Sequence, residues 1–140
     1  MGNTQSSTKK VNYEDMQYIL KNREKHVLIN TLNKDEQDCL LPNTLDVHKE
    51  EEFINELLNI GRKDVKIIIY GKNANDETIY KKYNQLTSLG FNTYVYLGGL
   101  FEWLMLQDIY NDIDFPTTKK ELDILKFRPR KTLDVHYLKY

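Results

Sequence analysis

Val65-Lys66-Ile67-Ile68-Ile69-Tyr70 is a β-branched run closed by a tyrosine, and Gly71-Lys72-Asn73-Ala74-Asn75-Asp76 follows it without a break. A continuous apolar run of this length predicts a central strand buried on both faces, as in a parallel sheet. The polar loop then predicts entry into a helix over residues 77–89, with Ile79, Tyr83, Leu86 and Leu89 as its apolar stripe and Gly90 as its stop. The same unit recurs on either side. Upstream, VLIN at residues 27–30 predicts a strand, and KEEEFINELLNI at residues 49–60 a helix with acids in its first turn and Gly61 after its end. Between them Pro42 and Asn43 mark a turn, and residues 44–47 are expected to form a second strand. Residues 13–22 place Met16, Ile19 and Leu20 at helical spacing behind Asn12 as N-cap. Downstream, TYVYL at residues 93–97 predicts a strand, and LFEWLMLQDIY at residues 100–110 an apolar helix. Strands alternating with helices of this length argue an α/β fold, a central and mostly parallel sheet flanked by helices.

The chain has 140 residues, within the range of a single core, with 40% hydrophobic and 29% charged residues. Twenty Lys and Arg against 21 Asp and Glu leave a formal net charge of −1, which supplies no field for a polyanion and disfavours nucleic acid as a partner. The single cysteine, Cys39, precludes an internal disulfide or a multi-thiolate metal site. His26, His48 and His136 are widely separated and give no ligand spacing, so neither metal nor cofactor is expected. No apolar run approaches the roughly 20 residues that cross a bilayer. The expected setting is cytoplasmic.

The termini differ from the body. Residues 1–11 are read as a flexible arm, residues 12–112 as the domain, and residues 113–140 as a C-terminal appendage with one short helix and an extended tail. The arm, MGNTQSSTKK, fits M-G-x-x-x-[ST], with Gly2 as an unhindered acceptor amine once Met1 is removed, Ser6 in place, and Lys9 and Lys10 adding positive charge. Gly2 is thus a myristoylation candidate. One myristoyl chain holds a bilayer with an association constant on the order of 10⁴ M⁻¹, so reversible, peripheral association with a cytosolic membrane face is expected. In the appendage, Thr118 and Glu121 read as a capping box opening a helix through Leu125, and FRPRK at residues 127–131 as an extended, solvated tail. Its cations are nevertheless of the type that grips carboxylate or phosphate.

In an open parallel sheet, chemistry collects where strand carboxyl ends meet helix amino ends. The loop Gly71, Lys72, Asn73, Ala74, Asn75 and Asp76 lies there, and its backbone N–H groups suit an anion and would activate a thiolate. Over residues 13–110 the sequence resembles the rhodanese-like domains. In that family an I-V-V-Y strand leads directly into the catalytic cysteine and a tight loop that opens a helix. Ile67, Ile68, Ile69 and Tyr70 match the strand, and Gly71 stands at the cysteine position. The family's glycine-and-tryptophan motif resembles Gly90, Phe91, Leu97, Gly98, Gly99 and Trp103, while Pro42 keeps part of the motif before the second strand. Ile29-Asn30-Thr31-Leu32 stands where the first strand has I-D-x-R, with both acid and arginine replaced.

The resemblance implies a three-layer rhodanese-like sandwich whose site has lost its nucleophile. Sulfur transfer needs a thiolate to carry sulfane sulfur, and glycine offers none. Lys72 is the one cation of the loop, and Asp76 and Glu77 oppose an anion there. A Gly71→Cys variant that gained activity would show that the cradle survives. Cys39 is the alternative carrier for a sulfurtransferase, but Asp35, Glu36 and Asp38 surround it and disfavour its thiolate. Trp103 with Phe101, Leu104 and Leu106 is expected to be core, and Tyr94 with Tyr96, like Tyr80 with Tyr83, to share one face. The expected function is a catalytically silent, membrane-proximal binding or regulatory module with a protein partner.

Overall fold

Four strands form one parallel sheet in the order β1-β4-β3-β2: β1 (Lys10–Val11), β2 (His26–Asn30), β3 (Lys66–Tyr70) and β4 (Asn92–Tyr96). The computed structural model describes residues 8–133, so Gly2 and His136 lie outside the described residues. The register sets Ile68 between Leu28 and Tyr94, and Tyr70 between Asn30 and Tyr96. Alternation along β3 sends Ile67 and Ile69 to one face and Ile68 and Tyr70 to the other, and all four are buried. That is why the run in this strand is apolar without a break.

Each face carries a pair of helices. Helices α2 (Glu50–Asn59) and α3 (Thr78–Ser88) contribute Ile54, Leu57, Ile79, Tyr83 and Leu86 to the cluster over Ile67 and Ile69. Helices α1 (Tyr13–Lys21) and α4 (Gly99–Ile109) contribute Met16, Ile19, Leu100, Trp103 and Leu104 to the cluster over Ile68 and Tyr70. The result is the expected α/β three-layer sandwich. Tyr94 and Tyr96 share the second cluster, Tyr80 and Tyr83 the first. Asn12 caps α1 through a reciprocal capping box with Asp15, and Gly61 and Gly90 close α2 and α3 at positive φ.

Two local expectations fail for identifiable reasons. Residues 44–47 do not form a second strand: Thr44 makes one isolated bridge to Leu28, and Leu45 N–H donates to the Leu28 carbonyl. Asn43 sits at φ +66 after Pro42, and Asp46 then accepts from the His48 amide, so the chain turns again before a ladder can grow. The capping box at Thr118 does not form either. The Thr118 hydroxyl donates to the Asp38 carbonyl and accepts from Leu40 N–H, which spends its capping capacity on a tertiary contact. Helical geometry is confined to a 3₁₀ turn at Ile124–Phe127. The segment nevertheless reaches the core through Phe115 and Phe127, both buried.

Candidate functional site

The loop of residues 71–76 leaves the carboxyl end of β3 and enters α3. It is held from the side by the start of α4, where Leu100 N–H donates to Gly71 O and Phe101 N–H to Lys72 O, each at 2.9 Å. Free amides at a helix amino end thus serve the loop's carbonyls. Such an approach requires Gly99, which has φ +68, and any Cβ there would lie 2.8 Å from Gly71 O and 3.0 Å from Asn73 N. Gly98 opens the same helix against the Glu102 side chain, which accepts from the buried Tyr96 hydroxyl. Burial first, then the Glu102 carboxylate, hold that phenol well above its ordinary range.

Inside the loop, Asn73 is buried and bonded through both its amide nitrogen and its oxygen. Its Nδ2 donates to Phe127 O at 2.9 Å, and its Oδ1 accepts from Asn75 N–H at 2.9 Å. The C-terminal segment is therefore tied directly to the loop. Asp76 folds back across the cradle. Its Oδ2 accepts from Lys72 N–H at 3.0 Å and from the Thr31 hydroxyl at 3.4 Å, and its Oδ1 accepts from Thr78 N–H at 3.0 Å. The carboxylate occupies the place that the loop amides and the α3 amino end would offer to an anion. A Cβ built on Gly71 would fall against Asp76 Oδ2 and within 2.8 Å of Thr31 Oγ1. The space beside Gly71 is filled.

Above this floor opens a cavity of about 740 Å³. Thr31, Asn33, Lys72, Asn75, Asp76 and Thr78 line one side, and Lys126 with residues 128–132 the other. Lys72 is ion-paired with Glu36 at 3.4 Å, though without hydrogen-bond alignment, and Lys126 with Glu121 at 2.8 Å. Ala74 is exposed at the loop's tip. The structure thus brings Gly71, Lys72, Asn73, Asn75 and Asp76 together with cations the loop alone does not hold. FRPRK signalled them by its charge, but its fold back onto residue 73 is a long-range contact with no local sequence signal. Phe127 of that stretch is buried rather than solvated, while Arg128, Arg130 and Lys131 remain exposed.

Cys39 lies elsewhere. It is buried in the cluster with Leu40, Leu41 and Trp103, and it does not line the cavity. Burial pushes its thiol above the ordinary value, against a lowering contribution from the Thr117 hydrogen bond. Tyr70 reaches the same region, its hydroxyl accepting from Leu41 N–H and sharing a hydrogen bond with Thr44, which anchors the turn at Pro42. Trp103 is core, as expected, stacked edge-on to Tyr96 and Phe115 and donating to Pro116 O at 2.8 Å.

A parallel sheet between two helical layers, with its loop cluster and cavity at the carboxyl ends of β2 and β3, defines a three-layer α/β protein with a strand-to-helix loop site. The sequence matches the Rhodanese-like domain over residues 14–106, and the chain belongs to that family. Thiosulfate sulfurtransferase from Pseudomonas aeruginosa is similar in fold, with TM-score 0.56 and 16% identity, over 72% of this chain and 19% of that one. As-Sb reductase from Leishmania major gives TM-score 0.54 and 17% identity, over 76% and 81% of the two chains. The Alr3790 protein from Anabaena sp. gives 0.56 and 18%, over 83% and 86%. At such identities the likeness speaks for the fold. No curated protein matches the sequence. The family match ends before the segment that supplies Phe115, Phe127 and the cations at residues 126–131.

Proposed function

We propose that this chain is a catalytically silent rhodanese-like domain that works as a binding or regulatory module. The observation that carries this reading is the filled space beside Gly71. The loop begins with a residue that has no nucleophile, and a carboxylate of the chain itself takes the loop amide. The sulfurtransferase and reductase of similar fold are enzymes by their names, but activity resides in the site and not in the fold. Cys39, buried and with its thiol held protonated, is poorly placed to replace the missing group.

The module is held near a cytosolic membrane face by a myristoyl group on Gly2. The motif M-G-x-x-x-S supports this. Among the described residues no helix is long and apolar enough to cross a membrane.

Intact mass after incubation with thiosulfate, beside a Cys39→Ser control, tests the silent reading. No sulfur adduct is expected on folded wild type, and an adduct lost in Cys39→Ser would overturn the proposal in favour of a persulfide carrier. Metabolic labelling with a clickable myristate is expected to mark wild type and spare Gly2→Ala. An unmarked wild type would remove the membrane part and leave the binding module.

A further inference from the structure

The cavity over the loop is negative at its floor and positive at its rim. Five cations line it, Lys72, Lys126, Arg128, Arg130 and Lys131, against the single carboxylate of Asp76. Lys72 and Lys126 are neutralised by Glu36 and Glu121. Arg128 spends one N–H on Leu125 O, and among the described residues Arg130 and Lys131 have no ion-pair partner. Three positive side chains therefore stand uncompensated on one short stretch, at the mouth of a cavity, in a chain whose formal net charge is −1. The stretch is not a loose tail beside the cavity, because Phe127 is buried and its carbonyl is bound by Asn73.

We propose that this cavity is a binding site for a phosphorylated segment of a partner protein, its phosphoryl group held at the rim by Arg128, Arg130 and Lys131. The proposal rests on the silent-module reading and names its ligand. Guanidinium groups match phosphate oxygens in paired N–H contacts, and a dianion suits three free cations better than a single carboxylate does. The floor decides against a small free anion, since Asp76 already fills the cradle and repels a second negative charge. A ligand must carry its charge at the rim and lay an uncharged body inward. Asn33, Asn75 and Thr78 offer amide and hydroxyl groups for a peptide backbone along that path. A volume of about 740 Å³ is in the range of sites that enclose a ligand of several groups.

The test is retention of the full chain on immobilised peptide libraries with a fixed phosphoserine or phosphotyrosine, beside their unphosphorylated twins. Retention by a phosphorylated library is expected. It should fall roughly tenfold or more in Arg130→Gln/Lys131→Gln, the loss typical of removing charge-assisted hydrogen bonds, and stay unchanged in Lys21→Gln, an exposed cation on α1. Both substituted positions are exposed, so the variants should fold. Equal retention of both twins, or equal loss in Lys21→Gln, would overturn the proposal. So would displacement by inorganic phosphate at the peptide's own affinity, which would assign the rim to a small anion. Sedimentation with phosphatidylserine and phosphoinositide vesicles, lost in the double variant, would assign the cations to a membrane and overturn it equally. Failure here without a thiosulfate adduct removes the phosphopeptide and leaves the silent module, whereas an adduct removes the module itself.

Discussion

Placing a cysteine at residue 71 should not awaken the site. The ideal Cβ at that position falls against Asp76 Oδ2 and 2.8 Å from Thr31 Oγ1. Neither neighbour is the free end of a long side chain. Asp76 is pinned by Lys72 N–H and Thr78 N–H, each at 3.0 Å, so clearing the space means breaking the contacts that shape the loop and start α3. Overpacking of this kind costs about 1–3 kcal/mol. For a domain of this size the melting temperature falls by roughly 3–4 °C per kcal/mol, so Gly71→Cys should melt roughly 3–12 °C below wild type.

A second effect acts on the chemistry. Persulfide formation needs a thiolate to attack the sulfane sulfur of thiosulfate and expel sulfite, and a carboxylate in contact with the thiol opposes its ionisation. Gly71→Cys should therefore show no sulfur adduct by intact mass. Gly71→Cys/Asp76→Ala removes the obstructing carboxylate at the loss of its bonds to Lys72 N–H and Thr78 N–H, about 1–3 kcal/mol, and is the variant in which an adduct should emerge. A Gly71→Cys protein that melts with wild type and accepts sulfur from thiosulfate would refute the reasoning, because the cradle would then be open.

Asn73→Ala should cost about 1–3 kcal/mol, the penalty for leaving Phe127 O and Asn75 N–H without their partner. Limited trypsin digestion should then cut after Lys126 faster than in wild type. Trp103→Phe loses the bond to Pro116 O and part of the packing on Phe115, about 2–4 kcal/mol in urea unfolding. Gly99→Ala combines a strained backbone with a Cβ at 2.8 Å from Gly71 O, and roughly 2–4 kcal/mol of destabilisation is expected in the same assay. The buried phenols of Tyr70 and Tyr96 are held above the ordinary value of 10.0 by burial. A group whose folded pKa is raised contributes its stability in full below the unfolded value and loses it as pH rises, so the domain should unfold in a cooperative step above pH 10. Spectrophotometric tyrosine titration and circular dichroism should report that step together. Native Cys39, whose thiol is raised from 9.0 by burial, should react with iodoacetamide far more slowly than in urea between pH 7 and 9.

The sheet was legible because its signals are local. Ile67, Ile68 and Ile69 cannot face water on either side, and Asn12, Gly61 and Gly90 mark helix ends by side-chain chemistry within one turn. Gly98, Gly99 and Trp103 stood out in sequence, but their reasons are tertiary. The approach of α4 to the loop explains Gly99, and the Pro116 carbonyl explains the indole N–H. The failures have the same origin. Thr118 and Glu121 satisfy a local capping pattern, yet Thr118 meets Asp38 and Leu40, about 80 residues away in sequence, and those contacts win. The site was half visible. The loop, with glycine at residue 71, could be read directly, but the return of Asp76 onto Lys72 N–H depends on loop geometry that composition does not encode.

Helix α4 shows how the C-terminal segment alters the site. An all-round apolar helix needs cover on more than one side. The sheet covers Leu100, Trp103 and Leu104, while Phe115 packs on Trp103 and Gln107 donates to the Phe115 carbonyl at 2.8 Å. The chain then runs past Thr118, bound at Leu40, to Phe127, bound at Asn73. Each contact is a packing requirement met. Their sum carries residues 126–132 across the mouth of the loop, beyond the stretch the family shares. The floor of the site is thus set by the family's strand-to-helix loop, with Asp76 closing it, and the charge at its rim comes from sequence outside that loop. Recognition by this chain should therefore vary with residues 126–131 more than with the loop itself, which is the reverse of what a nucleophile-centred site would do.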